Sequence, residues 1–159
     1  MLVTNRVEEY TGIAEQIARR NEYGYSQLHR WAQYSFDCAT LVIRSVSAAG
    51  IPVRLEGATF TGNMYEAFKR AGFSDVTDSV NLSTGEGLIR GDILLTPYKH
   101  TEIFCGDGRR VGAHCDENGG TAGHVQGDQT GREISISPYV NLPWKYVLRY
   151  TGIILPTQK

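Results

Sequence analysis

From Asn5 to Arg20, apolar residues recur at Val7, Tyr10, Ala14, Ile17 and Ala18, the spacing of one helix face. Asn5 followed by Glu8 resembles a capping box at its start. The stretch from Asn21 to Ser35 carries Tyr23, Gly24, Tyr25, Trp31 and Tyr34 without a period, which predicts a long loop. Asp37 is a good N-cap for a second helix whose face is Cys38, Leu41, Val42, Ser45, Val46 and Ala49. Gly50 fits the C′ position, and Pro52 follows closely. A short third helix is predicted from Met64 to Ala71, with Asn63 as its cap and Gly72 as its stop. Beyond Gly85 the pattern changes to strands: Ile93 to Leu95, His100 to Cys105, Arg110 to His114, Glu133 to Ser137 and Trp144 to Tyr150. The first long hairpin closes on Gly106-Asp107-Gly108, and Asp116 to Arg132 reads as a Gly-rich loop. Helices first and an antiparallel sheet second define an α+β chain, with residues 1–159 forming one domain.

Composition narrows the partners. The chain has 159 residues, enough for one domain with a core that needs no staples. Lys+Arg 16 against Asp+Glu 17 gives a net charge of −1, and no basic run appears. Non-specific nucleic-acid binding and attraction to an anionic membrane surface are therefore not expected. No apolar run approaches the length of a membrane-spanning helix. The start, Met1 to Glu9, is acidic and lacks the apolar segment of a secretory signal, so synthesis in the cytoplasm is expected. Gly accounts for 18 residues, well above the usual share of about 7%, in keeping with a turn-rich second half. Three Cys cannot make a full disulfide framework, so a reducing compartment is expected. Residues 152–159, ending in Pro156-Thr157-Gln158-Lys159, read as a linker start or a frayed end.

Cys38 is the most informative residue. It follows an N-cap, where unpaired backbone N–H groups and the helix dipole favour a thiolate. The plainer reading is a small apolar residue on a helix face. A thiol nucleophile needs a base, and the base needs an orienting partner. His100 opens one predicted strand and His114 ends the next, so the intervening turn can bring both imidazoles to one end of the sheet. A Cys on a helix facing two His on neighbouring strands is a papain-like arrangement. Each His alone can equally be a surface or satisfied strand residue. His100, Cys105, His114 and Cys115 make a poor zinc set, because neighbours in a strand point to opposite faces. No calcium loop or phosphate-binding loop is present, so no metal or cofactor is expected. Cys105 and Cys115 read as packed thiols, and His29 and His124 as solvated loop residues.

The motifs Tyr25-Ser26-Gln27, Arg30-Trp31 and Phe36-Asp37-Cys38-Ala39-Thr40-Leu41-Val42 resemble the NlpC-type cysteine peptidase superfamily of cell-wall hydrolases, in its bacteriophage endolysin branch. Further blocks agree: Ala58 to Met64, Gly91-Asp92-Ile93-Leu94, His100 to Phe104, Gly112-Ala113-His114, Gly127 to Gly131 and Trp144 to Tyr150. Ala39-Thr40 replaces a usual small polar pair, and Glu102 stands where many members have Gly, a departure that the resemblance assigns no role at the nucleophile or base. The resemblance implies a papain-like NlpC fold, N-terminal helices packed on an antiparallel sheet. It implies Cys38 as nucleophile, His100 as general base and His114 orienting His100, with Asp37, Tyr25 and Trp31 as substrate-binding residues. The implied activity is hydrolysis of a peptidoglycan stem-peptide amide, foremost between D-Glu and a diamino acid. The alternatives are an N-acetylmuramoyl-L-alanine amidase with the same triad, a thiol acyltransferase, or a non-catalytic wall-binding module supported by the 10% aromatic content. The implied agent is a monomer that reaches the bacterial wall during phage lysis with help from another protein such as a holin.

Overall fold

A computed structural model describes residues 3–123 and 125–154. His124 and the segment from Pro156 to Lys159, both read from the sequence, lie outside the described residues. The elements in chain order are α1 (Val3–Arg19), β1 (Gly24–Tyr25), β2 (Ser35–Phe36), α2 (Cys38–Ala48), α3 (Thr61–Arg70), β3 (Phe73–Asp75), a 3-10 turn (Thr77–Ser79), β4 (Ile93–Thr96), β5 (His100–Gly106), β6 (Arg109–Ala113), β7 (Ile134–Pro138) and β8 (Tyr146–Tyr150). Six strands form one antiparallel sheet in the order β3-β8-β4-β5-β6-β7. The fold is α+β, as the sequence pattern predicts.

Strand β5 sits inside the sheet and its two faces do different work. Ile103 and Cys105 face the main core, where they meet Leu41, Val42 and Val46 of α2 and Tyr10 and Ala14 of α1. Phe104 faces the other way, into a smaller cluster with Leu94, Trp144 and Val147. Covering both faces explains why β5 lacks a clean apolar–polar alternation. Arg90 clamps α1 to the sheet: it pairs with Glu8 and Glu15 and donates to the Cys105 carbonyl at 2.8 Å. At the start of β4, fully buried Asp92 receives two hydrogen bonds of 2.8 Å from Arg149 of β8.

Several sequence expectations change. Helix α1 already includes Val3, so Asn5 lies inside it and does not cap its start. The stretch 21–35 holds a short parallel pair, Gly24↔Ser35 and Tyr25↔Phe36, bracketed by contacts of the Tyr23 ring with Tyr34 and Phe36. Two-residue strands leave no periodic signal. Helix α3 begins at Thr61 with Phe60 at the N-cap, not at Met64 with Asn63 as cap. Asn63 caps from inside the first turn: its Oδ1 accepts from the Thr59 and Phe60 amides at 2.8 and 3.2 Å. Strand β3 was not expected, because three residues pair only through distant β8. Strand β8 starts at Tyr146; Trp144 is pinned just before it by bonds to Asn141 Oδ1 and the Val140 carbonyl.

Candidate active site

Asp37 caps α2 as predicted. Its Oδ1 accepts from the Thr40 amide at 2.8 Å, and the Thr40 hydroxyl accepts from the Asp37 amide at 2.9 Å, a reciprocal capping box. Asp37 Oδ2 also lies 2.7 Å from Arg30 Nε, an ion pair whose angle is too poor for a hydrogen bond. Cys38 is thereby fixed in the first turn of the helix.

The environment of the thiol works against the helix-terminus effect. Burial pushes the Cys38 thiol up to about 11, and the Asp37 carboxylate adds to the rise. The backbone amides of Thr101 and Ala39 pull the other way without prevailing. The amide of Thr101 belongs to the residue after His100, so the sulfur and the imidazole share one end of the sheet. No hydrogen bond joins Cys38 Sγ to His100 among the described residues.

His100 and His114 come together as the strand pairing predicts. The β5–β6 register Ile103↔Val111, continued, sets the two histidines opposite each other, and their ring centroids are 5.8 Å apart. They do not bond each other directly. Each ring instead meets the Glu102 carboxylate: His100 Nε2 lies 3.0 Å from Oε2 and His114 Nε2 3.2 Å from Oε1. Arg110 also donates to Glu102 Oε2. Glu102 is fully buried, which alone would raise its pKa, yet the bonds from His100 and His114 hold it down to about 2. A carboxylate can only accept, so His100 Nε2 carries a proton and Nδ1 is left as the basic nitrogen. The His100 ring stacks on Trp144, with centroids 5.8 Å apart and planes 22° apart.

Glu102 is the residue that sequence reasoning set aside. Its signals were a charged residue within an apolar strand and Gly112 across from it. A Cβ on Gly112 would overlap the Glu102 carboxyl, so the glycine clears its place. His100, Glu102 and His114 bring their ligand atoms within 4.8 Å of one another, a donor set of the kind that holds a metal. The Arg110 guanidinium on Glu102 already supplies the positive charge that a cation would bring there. Cys105 is absent from this set because it faces the helices. Cys115 is likewise not part of it.

The remaining candidates separate. Tyr25 is buried, and its hydroxyl accepts from Gln27 Nε2 at 3.2 Å. Burial pushes its pKa up to about 12; the charges of Cys38, Asp37 and Cys115 also raise it, placing the phenol among them. It remains a proton donor. The Trp31 ring lies between Arg30 and Arg54, with guanidinium carbons 5.3 and 4.0 Å from the centroid. All three cysteines are free. Among the described residues, no helix is long and apolar enough to cross a membrane.

A capped cysteine helix set against a histidine-bearing antiparallel sheet is the fold class of the NlpC/P60 domains, and solved structures bear this out. The P60 domain of a Mycobacterium avium subspecies paratuberculosis antigen superposes with a TM-score of 0.56 at 16% identity, covering 92% of this chain and 95% of that one. The peptidoglycan hydrolase RipB of Mycobacterium tuberculosis gives 0.55 at 18% identity over 92% of this chain and 65% of that one. The resuscitation-promoting-factor-interacting protein RipA gives 0.58 at 14% identity over 94% of this chain and 66% of that one. The endolysin-like domain family matches residues 23–111 and 110–155, and the chain belongs to that family. No curated protein matches the sequence.

Proposed function

We propose that this endolysin-like cell-wall hydrolase cuts an amide of the peptidoglycan stem peptide by thiol catalysis, with Cys38 as nucleophile, His100 as base and Glu102 as the group that orients His100. The observation that carries this reading is the buried Glu102 carboxylate on His100 Nε2, at the sheet end where the Thr101 amide meets Cys38. The bond proposed is that between D-Glu and the diamino acid; the N-acetylmuramoyl-L-alanine bond would use the same groups.

With burial favouring the protonated Cys38 thiol, catalysis in this reading begins by general base transfer. The Cys38 proton passes to His100 Nδ1 as sulfur attacks the amide carbonyl. The oxyanion is met by the Cys38 backbone N–H and the protonated Tyr25 hydroxyl. His100 returns the proton to the departing amine as the C–N bond breaks, leaving a thioester. Water then gives a proton to His100, attacks the thioester and frees the carboxylic acid, and Cys38 regains its proton. Ionised Glu102 stabilises the imidazolium formed midway, and His114 and Arg110 hold Glu102. Asp37, tied to Arg30 and Thr40, positions Cys38 and lines the cleft.

The test is incubation of purified peptidoglycan with wild type and with Cys38→Ala, followed by mass spectrometry and end-group analysis. New amino termini on the diamino acid, absent with the variant, are the expected result. Free L-Ala termini with peptide-free glycan would assign the amidase bond. Equal cleavage by the variant, or none by either protein on walls from several bacteria, would overturn the thiol mechanism.

A further inference from the structure

The β4–β5 hairpin runs Pro97-Tyr98-Lys99 straight into His100. It closes with the Lys99 amide donating to the Thr96 carbonyl at 3.0 Å. Tyr98 stands at its tip with φ 65°, a left-handed conformation that bulky residues rarely adopt and glycine adopts freely. The residue is nevertheless 77% exposed, so core packing does not account for it. The ring meets Phe60 edge to face, with centroids 5.7 Å apart, and Phe60 is itself 40% exposed. Gly62 makes room for the pair, since a Cβ there would overlap both rings. Strained backbone that holds an exposed aromatic residue is characteristic of a binding site.

This pair and Lys99 wall a cleft of about 310 Å³ that has Cys38 on its floor. The charges in it do not balance. Asp37 is matched by Arg30. Lys99 is exposed, and among the described residues its ammonium has no carboxylate within ion-pair distance. The cleft is therefore left with one positive charge, at the residue that precedes the base.

We propose that Lys99, with the Phe60–Tyr98 wall, forms a specificity subsite for a free carboxylate on the substrate residue beside the scissile amide, so that the enzyme favours stem peptides whose acidic residue is unamidated. This rests on the stem-peptide reading above and names the form of substrate it takes. Adjacency to His100 restricts the carboxylate to a residue flanking the cut bond, because a lysine side chain reaches only a few ångströms. The aromatic rings pack against the methylenes of that residue and exclude water, which strengthens the charge pair.

The experiment uses two peptidoglycan fragments identical except for a carboxylate or a carboxamide on that acidic residue. Values of kcat/KM are measured for wild type, Lys99→Gln and Lys99→Arg. Wild type is expected to favour the carboxylate by about tenfold or more, the ordinary range for a charge-assisted contact. That ratio falls to about 1 in Lys99→Gln and is largely restored in Lys99→Arg. Equal rates on the two fragments with wild type, or an unchanged ratio in Lys99→Gln, would overturn the subsite. Cleavage of neither fragment, alongside Cys38-dependent cleavage of whole wall, would also overturn it and leave the hydrolase reading standing. Absence of Cys38-dependent cleavage in both assays would remove that reading and the subsite with it.

Discussion

Glu102 carries two consequences at the scale of one residue. Its folded pKa, near 2, lies below the ordinary 4.5. Ionised Glu102 therefore stabilises the fold fully above about pH 4.5, and that stability drains away as pH falls towards 2. Melting temperature should drop through this window in wild type and drop less in Glu102→Gln, which thermal melts across pH would reveal. The same substitution replaces an obligate acceptor by an amide that can also donate, so His100 loses its fixed tautomer. We expect kcat to fall by 10²-fold or more with a smaller change in KM, as for other positioned bases. An unchanged kcat, with only the melting temperature affected, would mark Glu102 as merely structural. Cys38 makes the complementary prediction. With its thiol held near 11, its alkylation by iodoacetamide should keep accelerating well above pH 9 in the free protein. A rate plateau near neutral pH, followed by peptide mapping of Cys38, would instead reveal a resting thiolate–imidazolium pair.

Elements differ in how plainly the sequence announces them, and the difference follows from range. The start of α2 was legible because its cap is local: Asp37 and Thr40 bond each other three residues apart. The histidine pair was legible because one short hairpin connects its strands. Strand β3 was not, since its partner β8 lies more than 70 residues away and its three residues carry no period of their own. The orienting role of Glu102 was hidden for a similar reason. Reading it needs the cross-strand neighbours Gly112, Arg110 and His114 together, not the Glu itself. Gly112→Ala tests that packing at the element level. The added methyl overlaps the carboxyl, so Glu102 must shift, and overpacking of this kind costs about 1–3 kcal/mol. A matching loss of kcat is expected, read out by melting and by wall-cleavage assays on the same preparation. The β4–β5 hairpin tip answers in the opposite sense. Tyr98→Gly removes a left-handed strain of about 1–2 kcal/mol from an exposed position. It should leave stability unchanged or raise it while lowering kcat/KM, the trade between stability and activity expected of a strained binding loop.

Across the whole molecule, chemistry and mechanical tie points occupy opposite ends of the central strands. Strand β4 ends at Thr96, beside the hairpin that delivers Lys99 and His100, and it begins next to Asp92. Asp92 is buried and receives Arg149 from β8 through both of its oxygens, as well as the Ile89 amide at 2.9 Å. Removing the carboxylate leaves the Arg149 guanidinium and the Ile89 amide without their partner. Breaking a buried pair in this way costs about 3–5 kcal/mol, because the remaining charge has lost its counterpart. For a domain of this size each kcal/mol shifts the melting temperature by roughly 2–4 °C, so Asp92→Ala should melt roughly 10 °C below wild type. The active end should not register the change while the protein stays folded, since the sheet between the two ends is closed by main-chain pairing of β4 with both β5 and β8. At 20 °C, kcat/KM for Asp92→Ala is expected within about twofold of wild type and its Cys38 alkylation rate unchanged. A loss of activity well below the melting point would instead mean that the two ends of the sheet are coupled, with the Asp92–Arg149 pair helping to set the spacing of β4, β5 and the catalytic hairpin.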